Sequence, residues 1–167
     1  LLSQTLLEWA KKTNSTWSYL CVCSDETVNK SDDQLISTVD ELPTFKVTTN
    51  PDEIATFLKH SGTRIIFSTY QSSARVAQAQ QLTGTRFNLV ICDEAQALKN
   101  SDSKRHNAIK QLDCLRKFLI TGTPIENSLS DLWSLMDIVR PGLLGTLRAF
   151  QSLLEDHPVD ARRLSDF

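Results

Sequence analysis

Four short runs in this chain, "WSYLCVC", "RIIFSTY", "NLVIC" and "KFLIT", are largely apolar on both alternations rather than on one. Successive side chains of a strand point to opposite faces, so a strand that is apolar throughout must be covered on both. The stretches between the last three runs are long enough for helices of about ten residues, and that alternation marks a parallel sheet with helices on both faces. The chain is therefore expected to be α/β. Its crossovers should be right-handed, and ligands of such sheets sit beyond the carboxyl ends of the strands.

Helix signals fit this frame. Thr49-Asn50-Pro51-Asp52-Glu53 reads as a helix start, with Asn50 as N-cap, Pro51 at the first helical position and acids in the first turn. That helix should end near His60, ahead of Gly62. Further helices are expected over 72–82, closed by Gly84, over 104–112, and over 128–139, stopped by Pro141-Gly142. Leu2, Leu6, Leu7 and Trp9 fit an amphipathic helix running to about Lys12. Residues 24–53, rich in Ser, Thr and Asp, read as a long loop or insertion with one short strand at 45–48.

Length and charge narrow the class. With 167 residues, 40% of them hydrophobic, the chain can bury one core, expected over 1–150 with a C-terminal tail at 151–167. Eighteen basic against 20 acidic residues give a net charge of -2, so any contact with nucleic acid must be local. No run approaches the ~18 apolar residues of a membrane span, and the first residues do not form a signal-peptide core, so the chain reads as cytoplasmic. Cys21, Cys23, Cys92 and Cys114 lie in or beside strand-like runs, where cysteine acts as a small hydrophobe, and no CxxC pair is present. Residue 1 is not methionine and already lies in an apolar-periodic segment, which reads as a chain cut from a longer one.

Three clusters of polar residues directly follow strands and are expected on one rim: Ser68-Thr69-Tyr70, Asp93-Glu94 and Thr121-Gly122-Thr123. In a nucleoside-triphosphate hydrolase, one carboxylate after a buried strand binds Mg²⁺, often through water, and a second orients or deprotonates the attacking water. Asp93 and Glu94 have that order. The plainer reading makes Asp93 a cap and Glu94 a solvated neighbour; the preceding "LVIC" and the following "AQALKN" favour the chemical one. Thr121 and Thr123 can hydrogen-bond a carboxylate or a phosphate-bound water, and Gly122 lets the backbone approach closely, although a strand-to-turn cap would use the same residues. Beyond them Pro124 and Asn127 open a helix with Leu129, Leu132, Trp133, Leu135, Met136 and Val139 as its core stripe.

These segments carry a family resemblance. Residues 86–145 resemble the motif II and motif III region of Swi/Snf-type helicase-like ATPases, in the superfamily-two group of DNA and RNA translocases. "DEAQALKN" is similar to that family's DEAH or DEAQ box, and "ITGTPIENSLSDLWSLMDIVRPGLLG" is similar to its motif III and following helix. The resemblance implies a RecA-like motor domain that uses ATP and Mg²⁺, acts on DNA or RNA and works with a second RecA-like domain. It makes Asp93 the Mg²⁺ residue, Glu94 the catalytic base, and Gln96 either a γ-phosphate contact or the link to motif III. Thr121, Gly122 and Thr123 fall on the nucleotide side, the two threonines as couplers of hydrolysis to movement. Within the first 85 residues, "LLSQTLLEW", "CVCSD" and "RIIFSTYQSSARVAQAQ" look more like motifs Ia and Ib of bacterial helicases similar to type III restriction subunits. There Ser68, Thr69 and Tyr70 would face the nucleic-acid backbone, with Ser3 and Gln4 nearby.

One expected part is missing from these residues. A phosphate-cradling GxxxxGK loop occurs nowhere in the 167 residues, whose only glycines are Gly62, Gly84, Gly122, Gly142 and Gly145. In the family that loop precedes motif Ia, so the RecA-like domain is expected to be incomplete and inactive alone. Its strand would lie beside "KFLIT", leaving an open edge that invites self-association. The competing reading is a non-catalytic binding module that uses the Ser68-Thr69-Tyr70 rim with Lys99, Lys104 and Arg105.

Overall fold

A computed structural model describes residues 17–24, 47–126 and 128–156. The helix expected over 2–12, with Ser3 and Gln4, the 25–46 part of the long loop, Asn127, and the end of the tail lie outside the described residues. The chain forms two compact units, Leu1–Thr85 and Arg86–Phe167.

In the first unit, strands β1 (Ser18–Val22), β2 (Val47–Thr48) and β3 (Arg64–Ser68) form a parallel sheet in the order β2-β1-β3. Tyr19 pairs with Ile65, and Cys21 with both Val47 and Phe67. The central strand is covered on both faces, as its composition requires: Leu20, Cys21 and Val22 are buried, as is Cys23 just beyond it. Burial, and then the neighbouring Cys23, push the Cys21 thiol up to about 11, which keeps it a neutral packing group. Helix α1 (Pro51–Leu58) starts as expected, with Asn50 Oδ1 accepting the Asp52 N–H at 3.0 Å. Helix α2 (Ser73–Thr83) ends at Gly84, whose φ of 66° carries its N–H to Gln80 O at 2.8 Å. A side chain there would be strained, and glycine is not. The two helices pack against each other, and Ile54 of α1 and Val76 and Ala79 of α2 are buried.

The second unit holds β4 (Phe87–Cys92), a 3₁₀ turn (Ala95–Leu98), α3 (Lys104–Gln111), β5 (Cys114–Leu119), α4 (Leu129–Val139) and α5 (Leu147–Asp156). Strands β4 and β5 run parallel, with Phe87 opposite Cys114 and Cys92 opposite Leu119. Partners in a ladder share a face. Cys92 is buried and Leu119 half-buried on one face, where Lys117 donates from Nζ to Ile109 O at 2.7 Å; on the other, Leu89, Ile91 and Phe118 are about half exposed. Desolvation lowers the Lys117 pKa, and the α3 carbonyl takes up its proton donor. Helix α4 packs on β5 around an apolar cleft lined by Phe118, Leu119, Leu132, Leu135 and Met136.

The expected α/β class, parallel pairing and helical crossovers are present, and three features differ in detail. The strands divide between two sheets rather than forming one, because apolarity reports that a strand is buried and not which strand lies beside it. Helix α5 crosses residue 150, where the tail was expected to begin; Gln151 Nε2 bonds Ser130 Oγ at 3.2 Å and Trp133 Nε1 bonds Gly145 O at 3.2 Å, tying this segment to α4. On α4, Ile138 is the side chain most fully buried, while Val139 is exposed, so the core stripe is rotated from the expected one.

Candidate functional site

The backbone at the end of β4 sets up the site. Ile120 donates its N–H to Cys92 O at 2.8 Å and accepts at its carbonyl from Ala95 N–H at 2.9 Å. In a regular parallel ladder those two bonds reach residues two apart; here they reach Cys92 and Ala95, so one extra residue is accommodated as a bulge. Asp93 and Glu94 are the residues pushed out, and both are exposed. Glu94 has φ 54° and ψ 45°, the left-handed region, and is the one non-glycine residue with positive φ among those described. A side chain in that conformation costs roughly 1–2 kcal/mol, and strain of this kind collects at functional positions.

A relay of hydrogen bonds joins this carboxylate to the end of β5. Thr123 N–H donates to Thr121 Oγ1 at 3.2 Å, and the Thr121 hydroxyl donates to Gln96 Oε1 at 3.1 Å. The Gln96 amide then donates from Nε2 to Glu94 Oε2. Aligned donors and acceptors of this kind polarise one another and fix the direction in which Glu94 points. Gln96 is thus in contact with the segment after β5. Asp93 turns one oxygen, Oδ1, to the Glu94 N–H at 3.1 Å. Thr121 and Thr123 are thus in the network, while Gly122 is exposed in the turn between them with no neighbouring atom that would obstruct a side chain.

The donor set fits one class of metal. No group of three or more His, Cys, Asp or Glu side chains able to hold an ion occurs among the described residues. Mg²⁺ keeps several waters and is held through one or two carboxylates together with substrate phosphates, a demand that the carboxylates of Asp93 and Glu94 fit by type. Asp93 and Glu94 are both exposed at the bulge.

The remaining sequence-derived residues divide. In the first unit, Thr69 N–H bonds Val22 O at 3.2 Å and its hydroxyl donates to Ser72 Oγ at 3.1 Å, while Ser68 Oγ donates to Thr69 O at 3.0 Å. Ser68, Thr69 and Tyr70 therefore lie half-buried at the end of β3 and in the turn into α2. Lys99 is a correction. Its side chain is 9% exposed, with Nζ 3.1 Å from Glu126 Oε2 and 3.6 Å from Asp131 Oδ2, so it serves these carboxylates and is not a surface cation for a nucleic-acid rim. Lys104 and Arg105 are exposed.

His106 carried no signal in the sequence. It is buried, its Nδ1–H donates to Leu98 O at 3.0 Å, and its Nε2 lies 3.7 Å from Asp137 Oδ2, which also receives Lys110 Nζ at 2.5 Å. It ties the 3₁₀ turn to α3 and α4. Its apolar neighbours Ala108 and Ile109 hint at a buried face on α3, but a single histidine among charged residues reads as solvated.

Comparison with known proteins places this arrangement. The SNF2-related domain matches residues 2–164, both units together. The chain belongs to the SNF2-related family. Among SNF2-related proteins, the DNA repair and recombination protein RAD54B of Gallus gallus is 41% identical over 85 residues, which are 51% of this chain and 9% of that protein. The DNA repair and recombination protein RDH54 of Saccharomyces cerevisiae is 34% identical over 99 residues, 59% of this chain and 11% of that one. The chain thus spans about a tenth of the length of these curated relatives. A solved structure of a nuclease-deletion mutant of the Type ISP restriction-modification enzyme LlaGI, in complex with a DNA substrate mimic, superposes with a TM-score of 0.57. It is 25% identical, over 74% of this chain and 10% of that one, and supports the RecA-like α/β fold.

Strain and hydrogen bonding at Glu94 give a direct test of whether the carboxylate is kept for stability. Glu94→Gly removes about 1–2 kcal/mol of left-handed strain, and loses about 0.5–1.5 kcal/mol of hydrogen bond and about 0.5–1 kcal/mol of chain entropy. The expected change in unfolding free energy, from denaturant titration, is within about 1.5 kcal/mol of zero. A loss well beyond that would make Glu94 a structural group.

Proposed function

We propose that this chain is the part of a DNA-dependent ATPase motor domain that carries the carboxylates for ATP hydrolysis and their link to the next strand end. The observation that carries this reading is the relay from Thr121 through Gln96 to Glu94 at the bulge after β4. In this reading Asp93 holds Mg²⁺ through its exposed carboxylate, and the cation, when bound, neutralises charge developing on the phosphates. Glu94, aimed by Gln96, accepts the proton of the attacking water. Thr121 and Thr123 report the state of that carboxylate to the segment between β5 and α4. The 167 residues hold no phosphate-cradling GxxxxGK loop, so in this reading the chain alone should not turn over ATP.

DNA is proposed as the polymer because the relatives are DNA repair and recombination proteins and the superposed restriction enzyme is in complex with a DNA substrate mimic. Ser68, Thr69 and Tyr70 are assigned to its backbone through hydroxyl contacts at the strand end. ATP hydrolysis by the whole protein, measured with and without duplex DNA, tests this: stimulation by DNA that disappears in Asp93→Ala is the expected result, and hydrolysis indifferent to both would contradict it. Among the described residues β5 pairs with β4 alone, and this edge together with the half-exposed Phe118 favours association of isolated chains through that strand. A monomeric mass in light scattering would exclude it.

A further inference from the structure

The segment after the carboxylates grips the loop Thr121–Glu126 at both ends. Gln96 takes the Thr121 hydroxyl at 3.1 Å at the first residue, and Lys99 Nζ takes Glu126 Oε2 at 3.1 Å at the last. Gln96 lies in the 3₁₀ turn, and Lys99, which caps it, keeps helical dihedrals of φ -61° and ψ -27°. Residues three apart in such a turn are eclipsed, so both side chains leave it on the same side. Asp131 on α4 closes the arrangement: its Oδ2 lies 3.6 Å from Lys99 Nζ and accepts the Glu126 N–H at 3.0 Å.

The environment makes this more than a surface ion pair. Exposed pairs contribute little because water screens them, whereas the Lys99 and Asp131 side chains are 9% and 13% exposed. One ammonium, largely removed from water, satisfies two carboxylates and a loop on three elements. Losing it would remove the cation that holds the Glu126 side chain at the end of the loop.

We propose that Lys99 is a positioning residue for ATP hydrolysis: by fixing the far end of the Thr121–Glu126 loop it keeps Thr121 on Gln96, and thereby Gln96 on Glu94. The inference rests on the ATPase reading above. It separates the turnover rate from nucleotide affinity, since Lys99 would act through the base.

The test compares Lys99→Met, Lys99→Arg and Glu126→Gln in the whole ATP-hydrolysing protein, with hydrogen exchange on this chain read alongside. Lys99→Met should lower kcat about tenfold or more with KM for ATP within about twofold, and Lys99→Arg should restore most of it. Glu126 is half exposed, so Glu126→Gln leaves the fold intact and should lower kcat about threefold at unchanged KM. In this chain, the Thr121 and Thr123 amides should exchange about tenfold faster in Lys99→Met, while those of α2 do not change. Wild-type kcat in Lys99→Met alongside an inactive Glu94→Gln would overturn the inference and leave the ATPase reading standing. Equal losses in the Met and Arg variants, or a rise in KM at constant kcat, would overturn it too. Unchanged loop exchange would overturn the clamp whatever the activity. An inactive wild-type protein would instead remove the ATPase reading.

Discussion

Replacing Glu94 by glutamine in the whole protein is expected to lower ATP turnover by about 10²–10⁴-fold, the usual worth of a general base, while nucleotide still binds. The substitution is chosen for what it preserves. Glutamine keeps the size of the side chain and an oxygen that can accept the Gln96 amide, so the relay to Thr121 stays intact and only the basic carboxylate is lost. Asp93, proposed to hold the metal, is untouched, so nucleotide affinity should change little. Single-turnover hydrolysis and equilibrium nucleotide binding, measured on the same preparation, separate the two. Turnover retained in Glu94→Gln would take the base role away from Glu94, and lost binding would point to a metal ligand instead.

The second large effect is on stability. Leu98→Ala should lower the unfolding free energy by about 2–5 kcal/mol, the range for a leucine emptied from a packed core. Leu98 has no exposed surface, and it lies in the 3₁₀ turn between Gln96 and Lys99, with its carbonyl held by His106. A domain of ordinary stability has only about 5–15 kcal/mol to lose, so the change is large. Leu153→Ala is the control: at 61% exposure on α5 it should fall within about 0.5 kcal/mol of wild type in the same denaturant titration. Equal losses at the two positions would mean that the second unit is not packed around the turn.

What could be read in the sequence follows from what each residue type reports. Asn50 and Gly84 announced their helix ends because a cap and a left-handed turn are local events, written in one or two residues. The strands were legible from their apolar runs, and Asp93, Glu94 and Thr121 from their place directly after them. Pairing was not, because Phe87 meets Cys114 and Cys21 meets Phe67 through contacts distant in sequence. The same limit hid Lys99, which reads as a surface cation in "LKN" until Glu126 and Asp131 arrive from residues 27 and 32 positions further on. The bulge at Glu94 escaped for a different reason: no glycine or asparagine marks its left-handed turn, and a carboxylate occupies a conformation that sequence propensity assigns to other residues.

Calorimetric titration of Mg²⁺-ATP is the measurement closest to the central claim, made on this chain and on a form extended upstream to include a GxxxxGK-type loop. The account predicts that only the extended form binds, and that its binding persists in Glu94→Gln. An extended form that fails to bind, or equal binding by the chain alone, would contradict it, leaving Asp93 and Glu94 as features of the fold without a nucleotide to serve.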